Sequence, residues 1–249
     1  MTVTVVCYKR PHLLRQCLES IVKADVSPVD EIIFALDYHS REMTEQMTAV
    51  IREFHNFLDN QDISRHTIRQ PDRYGVANNT RAVYRQTSFN NICAIEEDTT
   101  VSPDAFVFAD RMLNYKQYQF VNLCSHQNPT ATDPTKVHED NELRGGYGWA
   151  FTRDFWWAYL EPRWNGKNRA PYGWDWNVTY LCHREGWTVL TPEVSRVYNT
   201  GREGGTYDCP EHWDARVQNV CTVIPERYEI VKHPDLDRRQ PDWVQAEMR

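Results

Sequence analysis

Residues 91–106 read NICAIEEDTTVSPDAF. A short apolar run, Ile92 to Ile95, leads straight into three carboxylates, Glu96, Glu97 and Asp98. Like charges this close repel, and a strand end is a poor place to leave them unpaired. A cation or a set of hydrogen-bond donors is therefore expected there. Carboxylate oxygen suits Mn²⁺ or Mg²⁺, which usually bridge one or two carboxylates to substrate phosphates. An acidic triplet alone is a weak signal, since most are solvated surface; a buried strand before it strengthens it.

Outward from this stretch, apolar runs alternate with helical patterns. Strands are expected over 2–8, 31–37, 63–69, 91–98 and 119–125. Helices are expected over 11–24, opened by Pro11, and over 41–58, 75–88 and 102–117, the last opened by Ser-Pro-Asp. Alternation of this kind implies an α/β fold with a mostly parallel sheet covered by helices. Ligands of such sheets bind beyond the carboxyl ends of the strands. Asp37 and the 96–98 triplet stand at two of those ends. After residue 126 the texture turns to loops, Gly, Trp and Tyr. The expected organisation is one unit over 1–249: a nucleotide-binding half, 1–125, an aromatic-rich acceptor half, 126–215, and a tail, 216–249.

The composition narrows the function. The net charge is −7, which argues against coating nucleic acid by charge alone. Seven cysteines, scattered and without a C-x-x-C pair, read as reduced thiols of a cytoplasmic protein, with no zinc site. The N-terminus has no signal pattern and no segment is long enough to span a membrane, so the chain reads as complete and without a membrane partner.

Four spaced motifs then stand in one order: EEDTTVSPDAF (96–106), GYGW (146–149), Trp174-Asp175 with Gly186, and PEVSR (192–196) followed by TGREG (200–204). In these the chain resembles GT-A-fold glycosyltransferases. It is most similar to the N-acetylglucosaminyltransferase family of the Golgi enzyme that starts hybrid and complex N-glycans and of its protein O-mannose relative. The resemblance covers roughly residues 2–215. The departures are specific. Glu97 stands where the family has Asp, Asn78 and Asn79 stand where it has a His, and Trp174-Asp175-Trp176-Asn177 replaces a Trp-Asp-Asp-Trp type of run. The family's anchor, stem and disulfides have no counterpart in the sequence.

The resemblance implies roles. Asp98 would be the metal ligand. Glu96 and Glu97 would contact nucleotide and sugar, or only local backbone. Asp37 would meet uracil, or cap a helix. Arg10 would reach the nucleotide, and Asn78 and Asn79 the donor, or a helix start. Tyr147, Gly148, Trp149, Trp174 and Trp176 would line the acceptor or sugar pocket. Asp175 would be the base that takes the acceptor hydroxyl's proton; the alternative is a buried acid paired with Arg169 or Arg196. Arg202, between glycines, would neutralise the diphosphate on a hinged loop, or sit in an ordinary turn. His212 and Asp214 read as structural, with His212 as an optional metal ligand.

The implied activity is a metal-dependent inverting transfer of a sugar, N-acetylglucosamine or glucose, from a uridine diphosphate sugar to an acceptor hydroxyl. The acceptor would be a surface-glycan precursor, a small molecule, a protein, or hydroxymethylated DNA of the kind phages modify. Arg163, Lys167 and Arg169 supply a small basic stretch for the DNA reading. A non-catalytic sugar-binding module is the rival of another class. A nucleotidyltransferase would need a Gly-rich loop after the first strand, and CYKRPH has no glycine.

Overall fold

The computed structural model describes residues 1–57, 61–125, 132–166, 173–201 and 220–232. The first half follows the periodicity closely. Strand β1 (Thr2–Cys7) leads to helix α1 (Pro11–Lys23), β2 (Glu31–Leu36), α2 (Arg41–Phe57), β3 (Ser64–Arg69), α3 (Val76–Tyr84) and β4 (Asn91–Glu96). β1 and β2 are buried on both faces, with Thr2, Thr4 and Glu31 buried among their apolar residues. α1 turns Leu13, Leu14, Cys17, Leu18 and Ile21 inward at helical spacing.

β4 stops at Glu96, two residues short of the expected end. Glu97 and Asp98 form a turn into the short strand β5 (Thr99–Val101), followed by α4 (Ala105–Leu113) and β6 (Phe120–Asn122). The second half adds β7 (Lys136–Asp140) and β8 (Gly148–Thr152). A run of helical turns over Arg153–Phe155 (α5), Trp156–Leu160 and Glu161–Arg163 follows, then α6 (Trp174–Glu185), β9 (Val189–Pro192), β10 (Val197–Asn199) and β11 (Glu229–Val231). α6 ends where Gly186 takes a left-handed φ of 67°, the usual glycine stop.

Among the described residues nine strands form one sheet in the order β11-β7-β9-β6-β8-β4-β1-β2-β3. β4, β1, β2 and β3 are parallel, so their carboxyl ends share one rim. β8 enters antiparallel between β4 and β6, pairing Gly148 with Ile95. The sheet therefore crosses residue 125 without a break. β5 and β10 form a separate two-stranded ribbon beside it. One face of the sheet packs on α1, α2 and α4. The other carries an aromatic layer of Tyr84, Trp149, Phe151, Trp156, Trp164 and Trp174.

Candidate functional site

The rim where β1 and β4 end is built by one carboxylate that is fully used. Glu97, 2 % exposed, accepts the backbone N–H groups of Tyr8 and Lys9 and the Nε of Arg10, the last at 2.8 Å. It holds the β1–α1 loop against the end of β4. Arg10 is the residue before α1, yet it makes no capping bond. Its guanidinium reaches instead to the acids, with Nη2 2.8 Å from Asp98 Oδ2.

Asp98 is 5 % exposed, and its Oδ1 has no hydrogen-bond partner among the described residues. Its backbone carbonyl accepts both the N–H and the hydroxyl of Thr200, at 2.6 and 2.9 Å. Those bonds bring the 199–201 segment onto the acid. A Cβ on Gly201 would lie 2.0 Å from Asp98 Oδ2, so only glycine fits there. Burial pushes the Asp98 carboxyl above its ordinary range, with the Arg10 charge opposing. Glu96, half-buried on the same rim, is pushed up to about 8 by burial first and then by Asp98, with Arg10 again opposing and the Asp175 charge adding to the rise.

Asp175 reaches this neighbourhood through the sheet. The Glu96 N–H bonds to the Tyr147 carbonyl, so the 145–147 turn lies at the end of β4. α6 packs onto Gly146: a Cβ there would fall 2.8 Å from the Trp174 ring and 3.1 Å from the Asp175 Cβ. Asp175 sits in the first turn of α6, where backbone N–H groups favour a carboxylate. Burial outweighs them and holds its pKa above the usual value.

An oxygen-only donor set and a buried Asp98 oxygen without a partner fit a hard divalent cation that also takes phosphate oxygens. Among the described residues no group of three or more His, Cys, Asp or Glu could enclose a metal alone.

Other expected site residues fall elsewhere. Asp37 caps no helix after β2; Ser40 does that, accepting the Met43 N–H. Asp37 instead accepts the N–H groups of Tyr38, Tyr74 and Gly75, tying the β2 end to the turn that opens α3. Asn79 is fully buried, donating to the Ala35 carbonyl and accepting from Gln70, which leaves Asn78 as the exposed member of the pair. Trp149 and Trp174 are core side chains. Trp149 is 0 % exposed between Tyr84, Phe120 and Phe151, and Trp174, 4 % exposed, stacks on Trp164 at 5.2 Å. Gly148 is buried against Val197, and the hydroxyl of buried Tyr147 meets Cys124 at 2.7 Å. Apolar burial and ring packing claimed these four residues; only Trp176 stays half-exposed.

Arg196 does not pair with Asp175: it is buried against Asp104. Arg163 is exposed and donates to the Tyr159 carbonyl. Lys167, Arg169, Arg202, His212 and Asp214 lie outside the described residues. The described cysteines are buried and form no disulfide with one another, and no described helix is long and apolar enough to cross a membrane. Sequence reasoning missed the seating of Gly201 on Asp98 and of Gly146 on Asp175. The glycines in TGREG and GGYGW were the available signal.

Comparison with known proteins matches this geometry to a fold and a family. A curated relative, the alpha-1,6-mannosyl-glycoprotein 2-beta-N-acetylglucosaminyltransferase of Sus scrofa, is 28 % identical over 133 residues, 49 % of this chain. The aligned part is 28 % of that protein, so the chain spans well under two thirds of it. Solved structures share the fold at low identity. The mannosyltransferase PcManGT from Pyrobaculum calidifontis, in complex with GDP-Man and Mn²⁺, has a TM-score of 0.58 at 14 % identity, covering 77 % of this chain and 54 % of its own. GalNAc-T7 with UDP, GalNAc and Mn²⁺ has a TM-score of 0.58 at 12 % identity, covering 84 % and 45 %. TarS of S. aureus with UDP-GlcNAc has a TM-score of 0.56 at 10 % identity, covering 82 % and 60 %. These are GT-A glycosyltransferases, and the mostly parallel sheet with flanking helices is theirs. The profile of the GNT-I family matches residues 1–209, most of the chain, and with Asp98 and Asp175 both inside that span, this chain belongs to the GNT-I family.

Proposed function

We propose that the chain performs a metal-dependent, inverting transfer of N-acetylglucosamine or glucose from a uridine diphosphate sugar to an acceptor hydroxyl. The observation that carries this reading is the buried, unpartnered Oδ1 of Asp98 at the end of β4, where the Gly146 turn brings Asp175 of α6 alongside. Asp98 would hold Mn²⁺ or Mg²⁺; when bound, the cation neutralises the diphosphate as it departs. PcManGT with GDP-Man and Mn²⁺ and GalNAc-T7 with UDP, GalNAc and Mn²⁺ support that choice of partner.

The chain's own groups divide the remaining work. Glu97 keeps the β1–α1 loop in place. Glu96 faces the donor sugar. Asp175 accepts the proton of the acceptor hydroxyl, and its raised pKa brings its basicity closer to that task. Such a base belongs across the cleft from the leaving group, which is the demand of an inverting displacement. Trp176, half-exposed beside Asp175, offers a face to an acceptor sugar or other ring. Buried cysteines that form no disulfide among the described residues support a reducing compartment, the cytoplasm, for this reaction.

The test is a screen of nucleotide sugars for Mn²⁺-dependent hydrolysis, followed by mass spectrometry of glycan, protein, small-molecule and hydroxymethyl-DNA acceptors. A uridine diphosphate sugar should be turned over, and chelation should stop it. Turnover unaffected by chelation would exclude the metal. Binding without turnover in any mixture would favour a sugar-binding module.

A further inference from the structure

Arg10 already places one cation where the reading above puts another. Its Nε lies 2.8 Å from Glu97 Oε1 and its Nη2 2.8 Å from Asp98 Oδ2, so one guanidinium bridges two buried carboxylates. Its third nitrogen, Nη1, is buried with no hydrogen-bond partner among the described residues, and so is Asp98 Oδ1. Gly201 closes over the pair: a Cβ there would lie 2.0 Å from Asp98 Oδ2 and 3.0 Å from Arg10 Nη1. The side chain is 17 % exposed, so the ion pair is shielded from salt and water.

Three carboxylates at one strand end need a counter-charge even when no metal is bound. A fixed guanidinium supplies part of it, bridging Glu97 and Asp98. A divalent cation that ligates Asp98 must then share or displace that guanidinium, at a Coulombic cost between two like charges. A diphosphate removes the conflict, because a planar guanidinium pairs with phosphate oxygens as well as with carboxylate.

We propose that Arg10 is the resident counter-ion of the metal-free site, competing with the divalent cation for Asp98 and transferring its Nη groups to the diphosphate when the donor binds. The proposal rests on the reading of Asp98 as metal ligand. Its consequence is coupling: the cation binds weakly alone and more tightly once uridine diphosphate has taken over the guanidinium, and by linkage the converse holds equally. Arg10 is thus a positioning residue whose charge sets the order of loading.

The experiment titrates Mn²⁺ into the full chain and follows the electron-paramagnetic signal of free Mn²⁺, with and without saturating uridine diphosphate. Wild type should bind Mn²⁺ weakly alone and more tightly with the nucleotide. Arg10→Gln should bind Mn²⁺ alone roughly tenfold more tightly than wild type, a conservative expectation for removing one nearby like charge. The gain on adding nucleotide should shrink by a similar factor. A merely structural role predicts the opposite, weaker Mn²⁺ binding in the variant. Circular dichroism checks the fold, and Arg10→Lys, which keeps the charge but cannot bridge two acids, should fall between the two. If Arg10→Gln does not fold, Arg10→Lys carries the test with the same sign. Folded variants that bind Mn²⁺ alone no more tightly than wild type would overturn the proposal while leaving wild-type binding of Mn²⁺ with nucleotide intact. Absence of Mn²⁺ binding to wild type even with nucleotide would instead overturn the metal reading beneath it.

Discussion

Arg196 and Asp104 pair at 2.9 Å with both side chains fully excluded from solvent. The pair joins PEVSR to VSPDAF across 92 positions of chain. Ser102 and Tyr228 donate to the same carboxylate, at 2.6 and 3.0 Å, and the guanidinium lies 4.7 Å over the Phe108 ring. The two motifs thus lock the β5–β10 ribbon, and through Thr200 and Gly201 the segment that meets Asp98. Removing one partner leaves a buried charge uncompensated. Arg196→Met should lower stability by about 3–5 kcal/mol in urea unfolding. A loss below about 1 kcal/mol would mean that the aromatic shell alone holds the ribbon.

Asp98→Asn keeps the shape of the turn and removes the charge that would hold a cation. Calorimetric titration of uridine diphosphate with and without Mn²⁺ should show metal-dependent binding in wild type and none in the variant, with the melting temperature preserved. Equal binding in both conditions for wild type would remove the metal from the reaction.

Gly201→Ala tests the closest approach in the site. The added methyl would enter at 2.0 Å from Asp98 Oδ2, and either the carboxylate or the 199–201 segment must move. Nucleotide affinity with Mn²⁺ should fall at least tenfold, while Gly166→Ala, whose nearest neighbour is a side-chain oxygen at 3.2 Å, should change it little. Unaltered affinity in Gly201→Ala would show that the segment lies elsewhere in the loaded enzyme.

Asp175→Asn should leave donor affinity nearly unchanged and cut transfer by roughly 10²-fold or more, the scale of a lost general base. Stability should move the other way. The folded Asp175 pKa lies above the unfolded value, so burial disfavours the charged form. Below the unfolded pKa both proteins carry a neutral group there, and their stabilities should match. As pH rises from the unfolded towards the folded pKa, wild type loses stability that the amide keeps. Melts at pH 4 and pH 7 read this directly: a variant no more stable relative to wild type at pH 7 than at pH 4 would contradict the burial. The acid limb of the wild-type transfer rate should correspondingly sit above the ordinary aspartate range.

Asn79→Ala strips partners from the Ala35 carbonyl and the Gln70 amide in the core and should cost about 1–3 kcal/mol. Asn78→Ala, on the exposed side of the same helix, should lie within about 0.5 kcal/mol of wild type. Equal losses at the two positions would mean that α3 faces the other way.

The α/β class was legible in the first 125 residues because strand and helix periods are local properties: β1, α1, β2, α2 and β3 all lie where the pattern puts them. An acid at the end of β4 was equally legible, since a buried strand carries its last residue to the rim whatever surrounds it. How each polar group is used was not legible. Glu96 and Glu97 are neighbours of one chemistry, yet Glu96 ends β4 half-buried while Glu97 is bound to Tyr8, Lys9 and Arg10, about ninety residues earlier in the chain. Trp149 and Trp174 had the composition of a ligand site and became core, because β8 inserts antiparallel beside β4 and α6 lies on Gly146. Those outcomes depend on register and packing between distant segments. Buried donors and acceptors must find partners in three dimensions, and one chain of letters does not say which partner arrives.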